Sequence, residues 1–526
     1  MRFLNKKSTG RVSWALALST ILGLAGWRIL SLGEGNTFFF DEWNFLLDRS
    51  SPTVGNWLSH HNGHLSVLPV VGYQVLLQLF GAGSYLPYRA LAMLLHCAIA
   101  LVVALMIRRR SGSISALVGA GVVAYMGSGW QNWLWGFQIG MELSVLTGLL
   151  AIFWVAGDQS QRRQWLVIGA LVVSVLSSGV GVSVLIGVFV ASWRRGWGVV
   201  TKSSVLLFSL YGLWSLSYGD SQADTHNFLL VPSFMARSAA AVFSGIGGWD
   251  PAIGGVLAGT LAAIVLRKTR RLWNERPEVP TIALVVVVGW ILSAMTRAQF
   301  NEPGASRYVH VGVSLVVPLV VLILANNGKS WRTNLTLVCL GALSIGGSWD
   351  IADAAGREFR DRSSTVRAEL TALLQVTEPI EAGYQPDRSR APQITYERLA
   401  QFGERFNLPL MNANEVKRSA DSVRKEMDRV YLESAGVKLI DQSQPSDWSC
   451  NLFAANHSIK VAAGESIWLT GVHSVEVRRL SREYQSLVPS PPGTPSLLRF
   501  GRDVNPRLWT VRLISAGDVE ICEPTK

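Results

Sequence analysis

Apolar runs of roughly 17 to 25 residues, the length a helix needs to cross a bilayer, recur from Trp14 to about Trp349 and then stop. The loops between them carry basic clusters at Arg108 to Arg110, at Arg162 and Arg163, at Arg194 with Arg195 and Lys202, at Arg267 to Arg271, and at Lys329 with Arg332. These loops alternate with loops poor in lysine and arginine, as the positive-inside rule requires. Placing every basic cluster in the cytoplasm gives about eleven spans, near 13–33, 86–107, 114–130, 141–157, 165–180, 181–193, 203–219, 250–266, 279–297, 308–325 and 333–349. The pair at 165–180 and 181–193 is short and rich in glycine. The pattern therefore predicts a polytopic α-helical membrane protein at the plasma membrane, with the N-terminus cytoplasmic and the C-terminal region extracytoplasmic. Arg2, Lys6, Lys7 and Arg11 precede the first run, but no small-residue cleavage site follows it and it has the length of a span.

One apolar segment breaks the alternation. Making 65–80 a span would move Arg108 to Arg110 to the outside, so the segment reads as a helix in or near the outer interface, carrying Pro69 and ending at Gly81; the alternative is a true span compensated by one lost elsewhere. The polar groups of the first outer loop then gather on one side: Asp41, Glu42, Asp48, His60, His61, Asn62 and His64, with Arg89 at the mouth of the next span. The second outer loop adds Gln131, Asn132, Trp135 and Gln138, followed by Glu142. A later one supplies Arg297, Glu302, Arg307, Tyr308 and His310. Ionisable groups at membrane depth cost several kcal/mol unless they are paired or face water, so their convergence implies a polar cavity at the outer leaflet.

Composition agrees with the pattern. Of the 526 residues, 49% are hydrophobic and 16% charged, too apolar for a soluble enzyme. The net charge of +12 calls for no nucleic acid, because cytoplasmic loops facing anionic lipid headgroups account for much of it.

The order of elements resembles the GT-C superfamily of integral-membrane glycosyltransferases, which includes protein O-mannosyltransferases and lipid A aminoarabinose transferases. The residues that carry the resemblance are the acidic pair before Trp43 (Asp41, Glu42), the His61 to His64 element, Trp130 to Asn132, and Ser306 to Tyr308. It covers about residues 10–350. The resemblance implies transfer of a sugar from a polyprenyl-phosphate donor to a cell-envelope glycan, lipid or protein. It places Asp41 as the catalytic base for the acceptor hydroxyl and Glu42 as the group that orients it or helps bind acceptor or metal. Arg89, Arg297 and Arg307 become candidate phosphate ligands. Some members use a divalent ion such as Mg or Mn and others do not.

Read from the residues alone, each group has a second explanation. The acidic pair and its aromatic neighbours also suit a solvated membrane edge with an interfacial belt. His60 and His64, four apart, would share one face of a helix and supply two metal ligands, but Gly63 argues against a helix there and no further ligands follow at standard spacing. Hydrogen bonding to sugar or phosphate, or interfacial packing, are the other readings. Trp130, Trp133 and Trp135 suit either sugar stacking or the belt. A non-catalytic transporter or flippase is the alternative function. It would show internal repeats and charge near the bilayer midplane, whereas no repeat is visible and Arg28, near the end of the first span, is the main exception to uncharged span interiors.

The C-terminal third is polar. Residues 350–436 carry helical patterning with charged faces, and from 437 to 526 short alternating runs separated by Gly, Pro and Ser predict a small β-sandwich. Cys450 and Cys522 bracket that module, a pair suited to a disulfide in an oxidising compartment. Cys97 and Cys339 fall in spans and read as small buried hydrophobes.

Overall fold

The computed structural model describes residues 2–220, 224–324, 331–487 and 494–525, with side chains from Val12 onward. Lys329 lies outside the described residues, as do the side chains of Arg2, Lys6, Lys7 and Arg11. The chain divides into two compact units. The first comprises Met1–Glu34, Asp48–Leu79 and Leu86–Phe359; the second comprises Gly35–Leu47, Phe80–Tyr85 and Arg360–Lys526.

The first unit is a multi-pass helical membrane domain. Among the described residues, nine helices are long and apolar enough to cross a membrane, or ten if Ser113–Ala124 and Gly127–Leu134, bent by 45°, are one span. The facing sides of the helices of this unit form one aliphatic core, with Ile99, Val103, Leu149, Ile152, Leu171, Val188, Ile282, Val313 and Leu322 all buried.

Contacts sort the helix ends into two levels. At one level the arginines gather. Arg110 binds Glu278 bidentately at 2.7 and 3.1 Å, Arg195 donates to the Gly157 carbonyl at 2.6 Å, and Arg276 donates to the Leu322 carbonyl. Arg108 lies 3.6 Å from the Trp14 ring and Arg194 lies 5.0 Å from Trp273. At the other level are the polar loops. Here Arg28 pairs with Asp353 at 2.9 Å and stacks 3.2 Å from the Trp349 ring, so it is engaged within the bundle.

The helices Gln161–Ser177 and Val180–Arg194 are short, at 17 and 15 residues. They run beside Ile139–Val155 between both levels: Ser177 O is 2.7 Å from a Cβ built at Gly140, and Arg195 reaches Gly157. A further apolar helix, Thr225–Gly245, occupies a stretch where the sequence pattern placed no span. One end is tied to the polar level by Asn227 Nδ2 donating to the Met295 carbonyl at 3.0 Å. The other end meets the same level, where Ser128 Oγ donates to Gly245 O at 2.6 Å. Both ends being on one side, this helix lies across the bundle. The helix Val67–Phe80 also stays at the polar level, with Pro69 against Gly140 and Gly72 against Ile139. Pro69 sits in its first turn, where a missing N–H costs no helical bond.

The last helix of the first unit does not end near 349, where the sequence pattern put a domain boundary. Trp331–Gln375 is one continuous helix of 45 residues. No proline interrupts it, and its polar continuation keeps helical spacing, so the change from apolar to charged residues alters its surroundings without ending it. Cys339 on this helix is exposed, not buried, and Cys97 is intermediate.

The second unit ends in two antiparallel sheets. One has five strands in the order Lys438–Asp441, Ser496–Arg499, Ser466–Thr470, Val519–Pro524, Trp448–Phe453; the other has four, Ser458–Val461, Trp509–Ile514, Ser474–Arg478, Gln485–Leu487. Alternate residues are buried, as in Val475 and Val477 or Trp509, Val511 and Leu513, which is the two-residue period of a sheet with one face on a core. Cys450 lies opposite Cys522 in register and the two are disulfide-bonded. The helix Asp421–Ser434 is fastened to the sheets by Asp428, which accepts backbone N–H bonds from Arg479, Leu480 and Ser481 at 2.9 to 3.0 Å.

Candidate active site

The His61 to His64 element is a tight hairpin. His61 N–H donates to His64 O at 2.9 Å and His64 N–H to His61 O at 3.0 Å, across Asn62 (φ 51) and Gly63 (φ 75). Two consecutive positive φ angles make a type I′ turn, the geometry that Asn-Gly favours. His60 and His64 therefore share no helical face, which corrects the reading that would pair them as metal ligands. The preceding loop is held by Arg49, which donates to Ser59 O and His60 O at 3.1 and 2.5 Å. Gln74 in the helix Val67–Phe80 donates in turn to Arg49 O and Ser51 O.

The turn is packed on aromatic rings. The His61 ring is 5.0 Å from Phe137, which stacks on Trp135 at 5.1 Å. Trp135 is buried, and Trp133 is buried with its Nε1 donating to the Met126 carbonyl at 3.3 Å, so both indoles serve internal packing. Trp130 meets Phe359 edge-on at 6.2 Å. His64 approaches Gly179 so closely that a Cβ there would lie 2.7 Å from Nδ1. Burial pushes the His64 imidazole down to about 4, with the positive charge of Arg297 and the neighbouring His61 acting in the same direction. His64 is thus a neutral ring beside a guanidinium. Arg297 Nε is itself buried with no hydrogen-bond partner among the described residues.

A second group joins the two other motifs of this unit. Gln131 N–H donates to Ser306 Oγ at 3.1 Å, and Arg307 N–H donates to Gln131 Oε1 at 3.2 Å. The helix Ser306–Leu324 begins at this point, so Gln131 satisfies one of the backbone N–H groups that a helix start leaves open. The Arg307 guanidinium lies 4.9 Å from the Tyr308 ring and 3.7 Å from Glu302. Asn132 is fully buried, and neither of its amide atoms has a hydrogen-bond partner among the described residues. Gln138 is buried at the start of the helix Ile139–Val155. Arg89 is buried with its guanidinium against Gly33, where a Cβ would lie 2.1 Å from Nη1, so a side chain there would have to displace the arginine.

Asp41 and Glu42 belong to the second unit. Phe40, the residue before Asp41, has φ 47, in the left-handed region that costs a bulky residue about 1–3 kcal/mol. Its N–H donates to the Arg390 carbonyl at 3.1 Å. Glu42 is fully buried. Tyr85 O–H donates to its two oxygens at 2.9 and 3.1 Å, and Phe39 N–H donates to Oε2 at 2.8 Å. Phe38 packs edge-on against both Trp43 and Tyr85. Asp41 is only partly buried, so of the two carboxylates it is the one accessible to a reactant.

Tyr85 and His96 were not among the residues the sequence pattern singled out. Tyr85 follows the Gly81-Ala82-Gly83-Ser84 turn and carries no motif of its own. His96, inside the helix Leu86–Ser111, meets Glu142 and His310. Three ionisable residues in three apolar spans was the signal that could have found it.

No protein-family model and no curated protein sequence matches this chain. Several solved structures are similar, among them the following three. ArnT from Cupriavidus metallidurans bound to undecaprenyl phosphate is 16% identical, with 77% of this chain and 87% of that chain covered and a TM-score of 0.45. The Archaeoglobus fulgidus oligosaccharyltransferase in complex with Zn and sulfate is 14% identical, covering 68% of this chain and 56% of that one, with a TM-score of 0.39. The same enzyme tethered to an acceptor peptide containing the NVT sequon is 14% identical over 64% and 55%, with a TM-score of 0.37. This chain thus spans little more than half the length of the archaeal enzyme.

Proposed function

We propose that the chain is a GT-C-type membrane glycosyltransferase that moves a sugar from a polyprenyl-phosphate donor to a hydroxyl of a cell-envelope glycan, lipid or protein. The observation that carries the reading is the bonding of Gln131 to Ser306 and Arg307. It ties the Trp-Gln-Asn and Ser-Arg-Tyr motifs together at the polar level, where the His-Asn-Gly-His turn and Arg297 also sit.

In the proposed reaction the acceptor oxygen attacks the anomeric carbon, the bond from that carbon to the phosphate oxygen breaks, and the phosphate leaves with the electron pair. Asp41 takes the proton of the acceptor hydroxyl as general base. The departing phosphate gains charge that guanidinium groups stabilise through charge-assisted hydrogen bonds. Arg297 suits this role best, with its buried unpartnered Nε and the neutral His64 beside it. Glu42 orients its neighbour through the loop it anchors. Its oxygens accept from Tyr85 and the Phe39 N–H, and no step is assigned to Mg or Mn there.

The test is transfer from a panel of radiolabelled polyprenyl-phosphate sugars in membranes containing the full chain, scored by the envelope fraction that gains label. Asp41→Asn should slow turnover by roughly 100- to 10,000-fold while donor binding persists, and Arg297→Ala should weaken donor binding. Near-normal transfer by a correctly inserted Asp41→Asn protein overturns the assignment of the base. Failure of every donor in the panel overturns the reading itself.

A further inference from the structure

We propose that His96, Glu142 and His310 bind a divalent transition-metal ion inside the helical bundle. All three are fully buried, one each on the helices Leu86–Ser111, Ile139–Val155 and Ser306–Leu324. His96 Nδ1 is 3.0 Å from His310 Nε2, His310 Nε2 is 3.1 Å from Glu142 Oε1, and His96 Nδ1 is 3.9 Å from Glu142 Oε1. A tetrahedral ion with bonds of about 2.0 Å sets its ligand atoms about 3.3 Å apart; the two shorter sides are close to that, and the 3.9 Å side must shorten when an ion binds.

The surroundings prepare these atoms as ligands. His96 Nε2 is 3.3 Å from the Ala124 carbonyl and donates to it, which leaves the Nδ1 lone pair facing the other two residues. A histidine whose second nitrogen is fixed by a carbonyl is the ordinary support of a metal ligand. Both oxygens of Glu142 and Nδ1 of His310 have no hydrogen-bond partner among the described residues, so the 3.1 Å approach of His310 to Glu142 is not itself a hydrogen bond. A hydrogen bond between the two histidines alone would leave the carboxylate without a donor in a dry interior, where such a group is costly. A cation among them would take His96 Nδ1, His310 Nε2 and Glu142 Oε1 together and give the buried carboxylate its counter-charge.

Two imidazoles and one carboxylate select zinc or a neighbouring ion such as cobalt over Mg, which prefers oxygen ligands. Three protein ligands also leave the fourth position of a tetrahedral ion for a non-protein group. This site is separate from the residues given roles in sugar transfer, and its test reads metal and not activity.

The full chain, purified in detergent and freed of metal by a chelator, is loaded with Zn or Co and then desalted. One equivalent per chain is expected, and the cobalt form should show the visible absorption of a four-coordinate nitrogen and oxygen site. Glu142→Gln and His96→Ala should lower the bound metal at least tenfold, while His60→Ala and His226→Ala, the latter at an exposed histidine paired with Asp224, retain it. Gel filtration and helical circular dichroism establish that each variant is folded. If a variant does not fold, the cobalt spectrum of the unaltered chain decides, because its ligand set is read directly. A monodisperse unaltered chain that retains neither Zn nor Co overturns the proposal and leaves the histidine pair as a hydrogen bond. Stoichiometric metal that survives in folded Glu142→Gln and His96→Ala also overturns it.

Discussion

Gln131 and Arg307, 176 residues apart, are joined by the Arg307 backbone N–H donating to Gln131 Oε1 at 3.2 Å. Replacing Gln131 by Ala leaves that helix-starting N–H without its acceptor, a loss of about 1–3 kcal/mol where the group is buried. The Ser306 to Tyr308 segment should shift, and a displacement of about 1 Å near reacting groups can cost on the order of 100-fold in rate. Gln131→Glu keeps the acceptor oxygen and should recover most of the loss. Sugar transfer measured beside thermal unfolding separates the two effects: a fall in melting temperature with unchanged transfer would show that the contact serves stability alone.

Glu42 and Tyr85 should act as one element. Tyr85→Phe removes the O–H that donates to both carboxylate oxygens, and hydrogen bonds to charged groups contribute roughly 1.5–3 kcal/mol. Turnover in Tyr85→Phe and in Glu42→Gln should fall by similar amounts, less than in Asp41→Asn. The double variant should lose little beyond either single one, since the residues share one interaction. Additive losses in steady-state rates would show that the two act separately.

His64 sets an acid limit on stability. Its pKa falls from the ordinary histidine value near 6.5 to about 4 on folding, chiefly through burial and then through Arg297 and His61. Between those values the unfolded chain binds the proton and the folded chain does not, so stability rises with pH across that window. As pH falls below about 6.5 the folded state loses ground, and below about 4 this contribution no longer changes. His64→Gln should flatten melting temperature against pH between 4 and 6.5. An unchanged slope would mean that other groups set it.

The disulfide reports on both fold and sidedness. Cys450 and Cys522 should resist alkylation until reductant is added, while exposed Cys339 is labelled in detergent without it. Closing a loop of 72 residues stabilises a folded unit by on the order of 4 kcal/mol in the chain-entropy account. Cys450→Ala with Cys522→Ala should therefore make the strands of the second unit far more sensitive to protease. A reporter active only after export should work when fused after Lys526 and fail when fused after Arg110; the reverse would invert the proposed orientation.

Much of the bundle was legible because its signals are local. Apolar length gives a span, and Gly63 speaks against a helix between His60 and His64. The helix Thr225–Gly245 was not, because crossing a membrane and lying across the bundle can require the same composition; only where Asn227 and Gly245 bind separates the two. That one helix, Trp331–Gln375, runs through 349 was hidden for a related reason, since a change in solvent is visible in sequence but a continuous backbone is not. For the candidate site, residue types were readable and partners were not. Glu142 and His310 stood out as polar residues near span ends, but His96 lies in the middle of an apolar run. Its significance comes entirely from two helices distant in sequence. Likewise nothing in the string FFFDEWNF distinguishes the enclosed Glu42 from the more accessible Asp41.

That same string holds an aromatic residue where glycine would be at ease. Phe40 keeps a left-handed backbone next to Asp41, fixed by its N–H to Arg390. Phe40→Gly would remove the steric penalty, and the loop would gain freedom in the folded state as well as in the unfolded one. The local backbone would become less strained while the direction of the neighbouring carboxylate became less defined. Aim and comfort are opposed at this one residue, and a screen for stabilised variants would be expected to find changes here that leave the protein sturdier and slower.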